Sequence, residues 1–136
     1  MNAFFSSDPD GNEVPQKKIL LVEDEPEMRQ ALRLRLESRG YYVVEAEDGA
    51  MGLKLARQQH PDLILMDVML PKMNGFMVAR LLKFDEQYKM IPIVILTVLS
   101  QKKDIDMGKN AGANAYLTKP YQPQDLFSTI ATLVAV

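Results

Sequence analysis

The chain has no cysteine, which excludes disulfides, thiolate nucleophiles, and cysteine-ligated zinc or iron–sulfur centres. It also lacks long apolar runs. The longest, such as residues 63–66 and 93–96, are strand-sized and far short of a membrane span. No basic segment followed by an apolar stretch opens the chain, so no signal peptide is read there. An excess of either charge is missing as well: 16 basic and 18 acidic side chains leave a net charge of −2. That balance supplies no general attraction to nucleic acid or to an anionic membrane. There is only one histidine, His60. It stands before Pro61 at a helix exit and reads as a surface residue rather than a metal ligand or phosphorelay donor. The expectation is a cytoplasmic protein of 136 residues, enough for one compact domain.

Residues 1–16 read as a flexible tail rich in Asp, Pro and Gly, with Phe4 and Phe5 as stray aromatics. From Lys17 to residue 136, short apolar runs alternate with amphipathic segments. Lys18–Val22, residues 42–45, Leu63–Met66, residues 91–96 and Ala115–Thr118 read as strands. Pro26 suits the first position of a helix and Gly40 the residue past its end. Met28, Ala31, Leu32 and Leu36 are expected on its inner face. Further helices are expected over Gly49–Gln59, residues 75–88 (with Val78, Leu81 and Leu82 inward), residues 100–110 and Pro123–Val134. The nine methionines read mostly as packing. Strands that are apolar throughout belong in a parallel sheet covered by helices on both faces, so five β-α repeats predict a doubly wound α/β fold.

In such a sheet ligands bind beyond the carboxyl ends of the strands. Glu23 and Asp24 follow the first strand, Asp67 the third and Lys119 the fifth, while Thr97 ends the fourth. One rim therefore collects three carboxylates, a hydroxyl and an ammonium. Two unit charges about 4 Å apart repel by roughly 4 kcal/mol at an effective dielectric of about 20, and one lysine does not offset three carboxylates. A hard divalent cation does, and carboxylate and carbonyl oxygens suit Mg²⁺. Such an ion points to phosphoryl chemistry, with an Asp carboxylate as nucleophile and Lys119 and Thr97 holding phosphoryl oxygens. Taken singly, each residue has a plainer reading. Glu23-Asp24-Glu25 suits the start of a helix, Asp67 a loop acid, Thr97 a strand end and Lys119 a solvated turn. Their joint placement favours a site.

The segments ILLVEDEP (19–26), DLILMDVMLPKMNG (62–75), PIVILT (92–97) and GANAYLTKPY (112–121) resemble the receiver domain of bacterial response regulators over residues 17–134. The resemblance implies a flavodoxin-like (βα)5 fold with strand order 2-1-3-4-5. It implies Asp67 as phosphoacceptor and Lys119 as the phosphoryl contact. Glu23 and Asp24 become the acidic pair, Asp24 a direct Mg²⁺ ligand and Glu23 one acting through water, with the Met69 carbonyl a further ligand. Pro71 and Gly75 would shape the loop after Asp67, and Thr97 and Tyr116 would form the switch pair that remodels the partner-binding face. The implied partners are a sensor histidine kinase or histidine phosphotransfer protein and a downstream protein target, with a phosphorylation-linked homodimer also open. Such a domain promotes its own Mg²⁺-dependent phosphorylation and dephosphorylation rather than turning over a substrate.

The sequence departs from the family pattern in three places. Val98 stands where a small residue usually follows the switch threonine, apolar Met69 and Leu99 lie two positions beyond Asp67 and Thr97, and Tyr121 replaces a common phenylalanine. The rival readings are a Mg²⁺-dependent aspartyl-phosphate phosphohydrolase of the haloacid dehalogenase type, an FMN binder, and a receiver that works without phosphorylation. The first wants a second Asp where Met69 stands, the second a Ser/Thr/Gly-rich loop where Glu-Asp-Glu stands, and the complete rim set speaks against the third. A receiver fragment of a longer transcription regulator also stays open. The 16 residues after Pro120 hold only the last helix, so output is expected from this surface.

Overall fold

The computed structural model describes residues 5–7 and 9–135. From Lys18 on, five strands and five helices alternate: β1 Lys18–Val22, α1 Pro26–Ser38, β2 Tyr42–Ala46, α2 Gly49–Gln59, β3 Leu63–Met66, α3 Gly75–Lys83, β4 Ile93–Thr97, α4 Lys102–Asn110, β5 Ala115–Thr118 and α5 Pro123–Val134. The sheet runs β2-β1-β3-β4-β5, all neighbours parallel. The doubly wound fold read from the sequence is the one observed.

Strand residues alternate between two cores. Leu20, Val22, Ile64, Met66, Ile93 and Ile95 pack with Leu53, Val78 and Leu82 of α2 and α3. Ile19, Leu21, Leu63, Leu65, Val94 and Leu96 pack with Leu32 and Leu36 of α1 and with Leu126, Phe127 and Ile130 of α5. Burying a Leu or Ile side chain contributes about 1.5–3 kcal/mol, so two-sided burial makes the central strands the stable platform of the molecule. β5, at the edge, is only half-buried.

The structure corrects several local expectations. The helix expected to reach residue 88 ends at Lys83. Asp85 turns the chain there: its side chain accepts from Gln87 N–H at 2.9 Å, competing with helical bonding. Lys83 Nζ then donates to the Lys89 and Ile91 carbonyls at 3.1 and 2.6 Å. The fourth strand starts at Ile93 instead of residue 91, and α4 at Lys102 instead of residue 100. Leu81 is 40% exposed and Ala31 exposed. Each stands one residue, about 100° of helical rotation, from the buried Leu82 and Leu32. Among the described residues, five methionines (Met51, Met69, Met77, Met90 and Met107) are exposed and only Met66 is fully buried, so packing does not account for most of them. His60 is exposed, caps α2 with φ 47° and stacks on Tyr88 at 5.9 Å.

Ahead of β1, Phe5–Ser7 and Glu13–Pro15 pair as an antiparallel hairpin, with Gly11 at φ 85° between them. Its backbone pairing has no counterpart in an apolar period. Phe4 lies outside the described residues. Among the described residues no helix is long and apolar enough to cross a membrane.

Candidate functional site

The parallel register sets the strand ends level: Val22 pairs with Ala46 and Met66, Met66 with Ile95, and Thr97 with Thr118. One further backbone bond carries each ladder into the rim. Glu23 N–H donates to the Ala46 carbonyl at 3.0 Å, Asp67 N–H to Val22 at 3.1 Å and Lys119 N–H to Thr97 at 2.8 Å. The residue after each strand is thereby held by its neighbouring strand before its side chain makes any contact.

Lys119 Nζ then lies 2.7 Å from Glu23 Oε1 and 3.0 Å from Asp67 Oδ2. Glu23 and Asp67 are buried and Lys119 nearly so. Burial pushes the Glu23 carboxyl pKa up, with the Lys119 hydrogen bond opposing it. Burial works to lower the Lys119 pKa, but the hydrogen bonds and charges of Glu23 and Asp67 outweigh it, and the net shift is upward. The second oxygens are also engaged: Glu23 Oε2 accepts from Glu25 N–H and Asp67 Oδ1 from Met69 N–H, each at 3.2 Å. Asp24 is half-exposed, and its carboxylate has no hydrogen bond or ion pair among the described residues.

The donors fit a Mg²⁺ ion. Mg²⁺ takes oxygen ligands, keeps several waters and is usually held through one or two carboxylates. The unpaired Asp24, with Asp67 and the Met69 carbonyl on the same rim, offers such a set. Glu23, closed onto Lys119, is less available. Among the described residues no three or more His, Cys, Asp or Glu side chains gather as an all-protein cage, an arrangement Mg²⁺ does not need.

Glycines shape the loop between Asp67 and α3. A Cβ on Gly75 would fall 2.3 Å from the Asp67 carbonyl oxygen, and one on Gly49 1.7 Å from that of Met73. Gly49 N–H donates to Pro71 at 3.2 Å, and Lys72, at φ 69°, reaches Asp48 at 3.5 Å. The loop therefore rests on the start of α2.

Thr97 is fully buried, and its hydroxyl accepts from Leu99 N–H at 3.4 Å without bonding Asp67 or Lys119. Tyr116 donates its hydroxyl to the Leu99 carbonyl at 2.7 Å. Both members of the expected switch pair thus meet at the backbone of Leu99. The Tyr116 ring lies where a Cβ on Gly108 would come within 2.7 Å of it. Val98 is exposed, while Leu99 packs on the core.

Three participants escaped the sequence reading: Gly49 as a seat for the loop, Gly108 as space for Tyr116, and Arg29, which donates to the Glu23 carbonyl at 2.8 Å. A contact to backbone leaves no residue-type signature. The only sequence trace of Arg29 is its i,i+4 spacing from Arg33 on α1. A hollow of about 530 Å³, lined by Gln16, Arg39 and Tyr41 among others, lies off the rim and contains none of these groups.

Known proteins match this geometry. The family model for the response regulator receiver domain matches residues 19–131. Protein PilH of Pseudomonas aeruginosa is 42% identical over 118 residues, covering 87% of this chain and 98% of PilH. The DNA-binding dual master transcriptional regulator RpaA of Synechocystis is 40% identical over 86% of this chain, which spans only 48% of RpaA. Among solved structures, the chemotaxis response regulator CheY4 of Vibrio cholerae superposes with a TM-score of 0.80 at 34% identity, covering 87% of this chain and 98% of CheY4. The receiver domain of sensor histidine kinase PA1611 of Pseudomonas aeruginosa, solved with magnesium coordinated in its active site cleft, does so with a TM-score of 0.82 at 32% identity, covering 89% and 99%. With its fold, its rim and these relatives in agreement, the chain belongs to the response regulator receiver domains of two-component signalling.

Proposed function

We propose that Asp67 is the phosphoacceptor of a signalling switch charged by a sensor histidine kinase or a histidine phosphotransfer protein. The observation that carries this reading is the Lys119 ammonium bonded to Asp67 at 3.0 Å on a rim that also holds Asp24, unpaired among the described residues. An Asp67 carboxylate oxygen attacks phosphorus as the phosphorus–nitrogen bond to the donor histidine breaks, and the electron pair leaves on the imidazole. Lys119, already amid carboxylates, exchanges part of its contact with Asp67 for a phosphoryl oxygen. Asp24, Asp67 and the Met69 carbonyl would hold Mg²⁺, with Glu23 acting through water. When bound, the ion offsets the negative charge gathered as phosphoryl and carboxylate approach.

Thr97 and Tyr116 would carry the state of Asp67 outward to the face built from α4, β5 and α5. Phosphorylation shifts that face only through contacts made better in one state, and the shared anchor at Leu99 supplies a physical link between the two side chains. Output is read as binding of a downstream protein target in the cytoplasm, or as a homodimer formed on phosphorylation. The transcriptional activity named for RpaA belongs to that longer protein.

The test is incubation with a small-molecule phosphodonor and Mg²⁺, read by intact mass. Wild type should gain one phosphoryl mass and Asp67→Asn none. An unlabelled wild type, or equal labelling of the variant, overturns the assignment.

A further inference from the structure

Arg29 is the fourth residue of α1, and its side chain turns back toward the loop that precedes the helix. Its Nη1 donates to the Glu23 carbonyl at 2.8 Å, a charge-assisted bond. That carbonyl belongs to the peptide joining Glu23 to Asp24. On its far side the guanidinium has Glu45 of β2, with Nε 3.6 Å from Oε1. Glu45 Oε2 is held in turn by Arg33 Nη1 at 2.6 Å. The Arg29 side chain is only 18% exposed. Ordering so long a chain costs rotamer entropy, which a free surface arginine avoids.

The acidic loop is tied down nearly everywhere else. Glu23 N–H is fixed to Ala46, Glu25 N–H to the Glu23 side chain, and the Glu23 carbonyl to Arg29. The Asp24 carboxylate is left without a partner among the described residues, as is that of Glu25 at the start of α1. From this geometry we infer that Arg29 is a positioning residue: by fixing the plane of the Glu23–Asp24 peptide, it sets where the Asp24 carboxylate stands for a divalent cation. The inference rests on the Mg²⁺ reading given under Proposed function.

Charge and position act here with opposite signs, which makes the role measurable. A guanidinium beside the acidic pair repels a dication, so if only its charge mattered, Arg29→Ala would tighten Mg²⁺ binding. If Arg29 orients the ligand, the same change weakens it. Losing a group that orients a metal ligand typically costs 10–100-fold in affinity, and the low end suits an ion held partly by water. The experiment is titration of the full chain with Mg²⁺ by calorimetry, with Mn²⁺ followed by electron paramagnetic resonance and no phosphodonor present. Thermal unfolding in chelator checks that each variant is folded. Arg29→Ala should bind about tenfold more weakly than wild type. Arg29→Lys keeps the charge but loses the planar fork, so it should also bind more weakly, where a pure charge effect leaves it unchanged. If Arg29→Ala does not fold, Arg29→Lys decides alone. Equal or tighter binding in the deciding variant overturns the positioning role. A wild type that binds neither cation overturns the Mg²⁺ reading itself and is thereby distinguishable.

Discussion

Met69 and Leu99 lie two positions beyond Asp67 and Thr97, and in the folded chain neither side chain reaches the rim with a polar atom. Met69 is 55% exposed, and Leu99 packs against the core. Val98, 56% exposed, adds an apolar surface beside them. Hydrolysis of an aspartyl phosphate needs a water held in line with phosphorus, and the side chains of these three residues supply no hydrogen bond to hold it. Once formed on Asp67, the acyl phosphate should therefore outlast removal of the donor by minutes. Decay within seconds, followed by intact mass after rapid desalting, contradicts this. Met69→Asn, which introduces a hydrogen-bonding side chain at the same place, should shorten the lifetime.

At the scale of elements, the start of α2 works as a seat. Asp48 caps the helix by accepting from Met51 N–H at 2.7 Å, and Gly49 lets the Met73 carbonyl approach where any side chain would stand. Gly49→Ala forces the loop carrying Met69 to move. It should cost about 1–3 kcal/mol, the usual penalty for overpacking, and should slow the gain of phosphoryl mass on Asp67. Urea unfolding and a labelling time course check the two effects, and a variant unchanged in both would show that the loop is not seated there. Helix ends were legible wherever Pro, Gly or His-Pro marked them: the bounds of α2 and α5 agree with the sequence reading. The end of α3 was not, because an Asp side chain and a lysine reaching two carbonyls decide it.

For the whole molecule, the titrating groups divide by sign. Lys119, with its pKa raised in the folded state, contributes stability that is fully present below its unfolded value of about 10.4 and is lost as pH rises through the folded one. Asp48 has its pKa lowered, chiefly by the Met51 N–H bond. Its contribution is present above about 3.9 and lost as pH falls through the folded value. Glu23, raised by burial, opposes folding while ionised and is relieved on acidification. The stability gap between wild type and Lys119→Met, measured by urea unfolding, should therefore be widest near neutrality and narrow as pH rises beyond the ordinary lysine range. A gap that stays constant or widens would mean that the Lys119 ion pairs contribute nothing to the fold.

The sequence by itself determined the parallel α/β frame and the identity of the rim residues. Those follow from short-range physics: apolar runs that must be buried on both faces, helix start and stop signals, and charged residues directly after the strands. The tertiary structure alone decided how the rim is wired. Lys119 meets Asp67 and Glu23 across separations of 52 and 96 residues, leaving the Asp24 carboxylate unpaired among the described residues, and Arg29 takes hold of a backbone carbonyl. Such contacts depend on strand register, rotamer and the position of backbone oxygens, none of which a pattern of residue types records.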